Sequence, residues 1–196
     1  MSGRVLVGCE RSGIVPDAFI AHGYDAVSCD LVPSQRPGPH LQMDVFDAIA
    51  MGGWRVGIFF PDCTYVCVSG LHWNKRRPWR QALTDAAVEF FIRLYNCAIE
   101  KVALENPIGC LSTQFRKPDQ IIHPWQFGED ASKATCIWKR GLPDLVPTNI
   151  LPGGRLARRA NQTPSGQNKL GPSPERAMLR AQTYPGIANA MTQWGC

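Results

Sequence analysis

The run Val56-Gly57-Ile58-Phe59-Phe60, followed at once by Pro61-Asp62-Cys63-Thr64, constrains this chain more than any other stretch. Apolar and small residues without alternation suit a short strand buried on both faces, the kind found in parallel sheets. Pro61 removes a backbone donor and fixes φ, so the ladder stops there and Cys63 falls in the loop beyond the strand. In open parallel sheets ligands bind off the carboxyl ends of the strands. A free cysteine is more often one small buried hydrophobe among others, so this stretch needs company before Cys63 becomes a reactive group.

The company comes one unit later. Val102-Ala103-Leu104 reads as a second buried strand, ending on Glu105-Asn106-Pro107 with the same design of apolar residues, a polar group and a proline stop. Between them, residues 84–101 carry apolar positions at helical spacing, with Thr84 as a plausible cap, and form a crossover. Two successive strands thus present a thiol and a carboxylate at one sheet edge. Upstream, Val5 to Gly8 reads as the first strand, Gly8-Cys9-Glu10-Arg11-Ser12-Gly13 as a tight loop, and Val15 to His22 as a helix starting near Ser12 or Gly13, whose free amides can receive a polar ligand group. The loop has neither the three-glycine dinucleotide spacing nor the Gly-Lys-Ser/Thr of a phosphate loop. The strand Ala26 to Cys29 ends on Asp30, about 20 residues past the loop, where a carboxylate suits a ribose diol. Residues 41–45 offer a short third strand or strand end carrying Asp44, which suits an exocyclic amine. For either aspartate the alternative is a helix cap or turn residue. Strand, loop and helix alternating in this way predict an α/β doubly wound sheet.

With 196 residues the chain is expected to form one domain without staples. Its eight cysteines are scattered and no signal peptide precedes Val5, which predicts reduced thiols in a cytoplasm. No apolar run reaches the ~20 residues of a membrane span. Cys63 and Cys67 with His72 lack a second cysteine pair at finger-like spacing, so no metal is expected. The net charge of +5 gathers in Lys75-Arg76-Arg77 with Arg80, in residues 133–140, and in Arg155, Arg158 and Arg159. Trp73, Trp79, Trp125 and Trp138 stand among them, a composition that serves phosphate contact plus base stacking. Residues 152–174, rich in Gly, Pro, Arg, Asn and Gln, predict a mobile basic loop. After it, Ser173-Pro174-Glu175 opens a C-terminal helix that breaks at Tyr184-Pro185-Gly186 and resumes as Ile187 to Met191.

These motifs, in this order, resemble the DNA cytosine-5 methyltransferases in a compact, phage-type form. Pro61-Asp62-Cys63-Thr64 with Ser69-Gly70 resembles the family's Pro-Pro-Cys-Gln nucleophile loop. Glu105-Asn106-Pro107 resembles its Glu-Asn-Val motif, and Gly186-Ile187-Ala188-Asn189-Ala190-Met191 its C-terminal Gly-Asn-Ala-Val motif. The resemblance implies a Rossmann-like S-adenosylmethionine-dependent methyltransferase sheet with helices on both faces. It places Gly8, Cys9, Glu10, Ser12, Gly13, Asp30, Asp44, Pro61 and Asn189 around S-adenosylmethionine. It makes Cys63 the nucleophile and Glu105 its acid partner, with Lys133 and Thr135 about where the family carries Gln-x-Arg-x-Arg. DNA is the implied partner, held by Trp73, Lys75, Arg76, Arg77, Arg155, Arg158 and Arg159. The departures are specific: Asp62 stands for the second proline, Thr64 for Gln, and Gly8 to Gly13 replaces Phe-x-Gly-x-Gly. Cys67 falls where the family carries serine. Residues 141–172 are all that is left for target recognition, and residues 173–196 should return to the cofactor pocket. Methylation of free deoxycytidylate, amino-directed methylation and a non-catalytic nucleic-acid-binding role stay open at this point.

Overall fold

Strands β1 (Arg4–Gly8), β2 (Ala26–Asp30), β3 (His40–Gln42), β4 (Trp54–Phe59) and β5 (Lys101–Pro107) are mutually parallel neighbours in the order β3-β2-β1-β4-β5. The computed structural model describes residues 3–195 except 172 and 174. Strand β7 (Thr135–Arg140) runs antiparallel to β5 and is bordered by β6 (Gln120–Ile122), giving seven strands among the described residues. Alternate side chains feed two cores, as the pleat requires. Val5, Val7, Val56, Ile58, Ala103 and Ile137 face α1 (Ile14–Ala21), α7 (Pro185–Met191) and Trp194. Leu6, Val27, Val102, Leu104, Cys136 and Trp138 face α2 (Val45–Ala50) and α4 (Trp79–Tyr95). With both faces covered, the parallel strands can be apolar throughout, and each fully buried large side chain contributes about 1.5–3 kcal/mol.

Several elements differ from the sequence expectation for physical reasons. β3 ends at Gln42, so Asp44 is not on a strand; it caps α2, its carboxylate accepting from the Phe46 amide at 2.7 Å. α4 starts at Trp79 rather than Thr84, and Thr84 lies mid-helix, buried, because its hydroxyl donates to the Tyr65 carbonyl at 2.9 Å. β5 continues to Pro107, which closes the ladder opposite Thr135 instead of stopping it. A nine-residue helix α3 (Val68–Arg76) and a four-residue α5 (Leu111–Gln114) occupy stretches where the apolar pattern gave no signal. The C-terminal segment forms α6 (Arg176–Ala181) and α7, while the expected proline start at Pro174 lies outside the described residues.

Residues 141–171 carry little regular structure, a 3-10 turn at Gly154–Leu156 and bridges pairing Asn149 with Phe127 and Gln162 with Asn168. They are nevertheless tied down, by Leu142 and Leu145 in the core and by Leu151 donating to the Trp125 carbonyl at 2.9 Å. Among the described residues no helix is long and apolar enough to cross a membrane, and no three His, Cys, Asp or Glu side chains gather as metal ligands.

Candidate active site

The carboxyl ends of β3, β2, β1, β4 and β5 lie side by side, so Asp44, Asp30, the Gly8–Gly13 loop, the Cys63 loop and Glu105 form a row along one edge. Phe60 donates to the Gly8 carbonyl at 3.0 Å, which joins the first loop directly to the end of β4. Asp30 and Asp44 both act on the Cys9 thiol, whose pKa is raised mainly by burial and further by these carboxylates. Cys9 itself holds a left-handed backbone, φ 55°, rare for a residue with a side chain.

Each polar group at this end of the row already has a local partner. The buried Glu10 carboxylate accepts from the Ser12 hydroxyl and from the Gly13 amide at 3.1 Å, and Ser12 in turn accepts from the Ile14 amide at 3.3 Å. Glu10, Ser12 and Gly13 therefore close the start of α1 among themselves, with the Gly13 amide on the Glu10 carboxylate and the Ile14 amide on the Ser12 hydroxyl. Burial raises the Glu10 pKa against those bonds. Asp30 accepts from the Val32 amide at 3.1 Å through one oxygen, as Asp44 does from Phe46.

The nucleophile loop is built differently. Asp62, where a second proline would be expected, accepts from both the amide and the hydroxyl of Thr64, at 2.9 and 2.6 Å, and so makes the turn by side chain instead of by ring. Asn106 reaches across from β5 and donates to the buried Pro61 carbonyl at 2.8 Å, while its own Oδ1 is buried without a hydrogen-bond partner. From α4, Arg80 donates to the Thr64 carbonyl at 3.3 Å and lies over the Tyr65 ring, and Thr84 holds Tyr65. Behind the loop, Cys67 pairs with Gly109, and a side chain on Gly109 would run into the Val66 carbonyl. Asn74, which donates to the Thr84 hydroxyl at 2.9 Å and accepts from Arg80 at 3.3 Å, was not foreseen as a support, nor were Arg80, Thr84 and Gly109; nothing in local sequence links them to residues 61–67.

Glu105 faces Cys63 closely enough to raise its pKa. Lys133 Nζ stands 3.9 Å from Glu105 Oε1, and Lys133 and Thr135 both favour the charged carboxylate. Burial nonetheless dominates and pushes the Glu105 carboxyl up. The neighbouring Cys67 and burial drive the Cys63 thiol up, whereas the neighbouring Cys63 pushes Cys67 down to about 5.

Two expected site residues fall elsewhere. Asn189 lines a cavity of about 300 Å³ with His22, Tyr24 and Thr192, residues of the far end of α1 and the tail after α7. α1 is eight residues, about 12 Å long, so this cavity is separated from Gly13 by the length of the helix. Arg159 is only 6% exposed; its guanidinium donates to the Pro152 and Gly154 carbonyls and covers Trp125, so it holds its loop together instead of meeting phosphate. Trp138 is likewise in the core against Phe91. Trp73, Lys75, Arg76, Arg77, Arg155 and Arg158 are exposed, and Arg76 and Arg77 both lie over the Trp73 ring.

No protein-family model matches the chain, and no curated protein matches it. Among solved structures it is similar to a candidate DNA modification methyltransferase encoded within an E. coli prophage, with TM-score 0.50 and 13% identity over 78% of this chain. The chain spans about half of that protein, 53%. It also matches the Entamoeba histolytica methyltransferase EhMeth, with TM-score 0.47, 13% identity, 77% of this chain and 58% of that one. The fold is therefore a seven-stranded α/β fold shared with that prophage-encoded protein.

Proposed function

We propose that the protein transfers a methyl group from S-adenosylmethionine to carbon 5 of cytosine in DNA through a covalent Cys63 adduct. The observation that carries this reading is the meeting of Cys63, Glu105 and Lys133 at the carboxyl ends of two adjacent parallel strands. The row of acceptors fits the cofactor at its adenosine end: Asp30 and Asp44 each spend one oxygen on a local turn and sit where a ribose diol and an exocyclic amine would be received. S-adenosylmethionine, when bound, supplies an electrophilic methyl group.

The chain's own residues do the rest. Cytosine carbon 5 is a poor nucleophile, and addition of the Cys63 sulfur at carbon 6 turns it into a reactive one. Glu105, kept protonated to higher pH by burial, gives its proton to ring nitrogen 3 and draws electron density through the ring. Lys133 then faces the carboxylate that results. Loss of the carbon 5 proton to solvent, departure of the Cys63 sulfur with its electron pair and return of the nitrogen 3 proton to Glu105 restore the aromatic ring. The base must leave its stack, at a cost of a few kcal/mol. The exposed Trp73, Lys75, Arg76 and Arg77 lie at the far end of α3, which starts at Cys67 and runs about 13 Å, so they are positioned to hold the strand beside the site. With Arg155 and Arg158 as the outward arginines of the second basic stretch, phosphate attraction with short or relaxed sequence preference is expected.

The test is incubation with tritium-labelled S-adenosylmethionine and either DNA or deoxycytidylate, followed by nucleoside analysis. Label in 5-methylcytosine from DNA is the expected result. Label from deoxycytidylate alone would move the substrate to the free nucleotide, and label only on exocyclic nitrogen, or none, would overturn the reading.

A further inference from the structure

We propose that Asn161 is a positioning residue: from the basic loop it fixes the main chain just before Lys133 and so keeps the Lys133 ammonium against Glu105. The proposal rests on the methyl-transfer reading of the same site and adds to it the group that sets the lysine.

Residues 130–134 belong to no helix or strand, so side chains and neighbouring loops must hold them. The Asn161 carboxamide takes both main-chain groups of Ser132, its Oδ1 accepting from the Ser132 amide at 2.8 Å and its Nδ2 donating to the Ser132 carbonyl at 3.0 Å. This grip holds the rigid peptide planes on both sides of Ser132, and the second plane leads directly into Lys133. Asn161 is anchored in turn, its carbonyl accepting from the Lys169 amide at 2.9 Å and its neighbour Gln162 pairing with Asn168. The same loop binds Asp130, whose carboxylate accepts from the Ala160 amide at 3.3 Å and stands 3.8 Å from Arg159 Nη1. On the other side, the Thr135 hydroxyl donates to the Lys133 carbonyl at 3.4 Å, and Thr135 is in register with Pro107 of β5.

With its main chain held in this way, the Lys133 ammonium donates to the Gln182 carbonyl at 3.4 Å and stands 3.9 Å from Glu105 Oε1. Two acceptors compete for it, so the direction in which its stem leaves the main chain decides how near Glu105 it comes. That nearness matters once Glu105 has given its proton to ring nitrogen 3, because the carboxylate charge develops during attack and a preorganised cation stabilises it there. A displaced Lys133 therefore costs rate at saturation and leaves binding alone. Lys133, Cys63 and Cys136 are the titratable groups that face Glu105.

The test compares Asn161→Ala, Lys133→Ala and the double variant. Asn161→Ala should lower the rate of methyl transfer at saturating DNA and S-adenosylmethionine by about threefold or more, with both affinities within a few-fold. Because that loss acts through Lys133, the double variant should be no slower than Lys133→Ala. The pH profile carries a second signature. Lys133 favours the charged Glu105, so with the ammonium displaced the alkaline fall in rate should move to higher pH, in Asn161→Ala as in Lys133→Ala. Asn161→Asp keeps the acceptor for the Ser132 amide and covers the case in which the alanine variant does not fold: its loss should be smaller, and again absent on top of Lys133→Ala. A variant at Asn161 with the unmodified rate, a loss that multiplies with that of Lys133→Ala, or an alkaline limb that stays in place would overturn the role of Asn161 alone. Absence of methyl transfer by the unmodified protein would overturn the reading of the site, and this role with it.

Discussion

The two ends of the row of strand ends differ in how their polar groups are satisfied. At the β1 and β2 end, Glu10 is spent on Ser12 and Gly13, and Asp30 and Asp44 each complete a turn. At the β4 and β5 end, Glu105 has a lysine only at 3.9 Å, Asn106 keeps a buried oxygen without a partner, and two thiols sit at the ends of one turn, the Cys67 amide donating to the Cys63 carbonyl. The first end is closed in shape and offers spare acceptor oxygens on its rim, as a binding surface does. The second brings two thiols and a buried carboxyl together on a hydrogen-bonded frame, as a reacting centre does. Other thiols of the protein sharpen the contrast: Cys29 and Cys136 are pushed up to about 11 by burial and serve as packing.

The comparison predicts that substitutions at the β4 and β5 end destroy turnover while sparing cofactor affinity. Cys63→Ser should lower turnover by roughly 10⁴-fold or more, the scale of loss when a covalent nucleophile is removed. Binding of S-adenosylmethionine, measured by calorimetry, should stay within a few-fold. Glu105→Gln should cost about 10² to 10⁴ in rate, because glutamine keeps the shape but has no proton to give. Its pH dependence carries a sign: burial raises the Glu105 pKa, so the protonated form needed for attack is lost as pH rises through that raised value. The corresponding fall in rate should be absent from the Gln variant's pH profile.

Substitutions at the other end should do the reverse. Asp30→Ala removes a charged acceptor for hydroxyl donors, worth about 1.5–3 kcal/mol, and should weaken S-adenosylmethionine more than tenfold with rate at saturation little changed. Unchanged affinity would take Asp30 out of the pocket and erase the comparison.

How far this division was legible before the fold was known depends on the residue. Pro61 and Pro107 marked the ends of two buried apolar runs, and that alone placed Cys63 beside Glu105, because β4 and β5 are sequential neighbours. Lys133 stands 3.9 Å from Glu105, a contact that the reading of Lys133 and Thr135 as lying about where the family carries Gln-x-Arg-x-Arg did not name. Asp44 takes the helix cap that was its alternative reading, on a six-residue helix, Val45–Ala50, too short to show its period in sequence. Helix α3 has no buried residue and so no apolar stripe to read, which hid the capping position of Cys67. Asn189 follows the motif order but sits on the stretch of α7 that packs beside the far end of α1, a tertiary fact with no local signature. Arg155, Arg158 and Arg159 look alike in sequence, and only burial separates the third.

That separation gives the smallest expected effects. Replacing Arg155 and Arg158 together by Ala should leave stability unchanged and lower the slope of log affinity for DNA against log salt by about 2. Arg159→Ala should leave that slope alone and destabilise the fold by about 1–3 kcal/mol in thermal denaturation, through the unpaired carbonyls of Pro152 and Gly154.

The division between a binding end and a reacting end is tested most directly by trapping the adduct. DNA containing 5-fluorocytosine, incubated with the protein and S-adenosylmethionine, cannot lose its carbon 5 substituent as a proton, so the carbon–sulfur bond should persist. Peptide mass spectrometry of the trapped complex should find the base on Cys63. A base on Cys67, or a methylated product formed with no protein–DNA bond, would contradict the account.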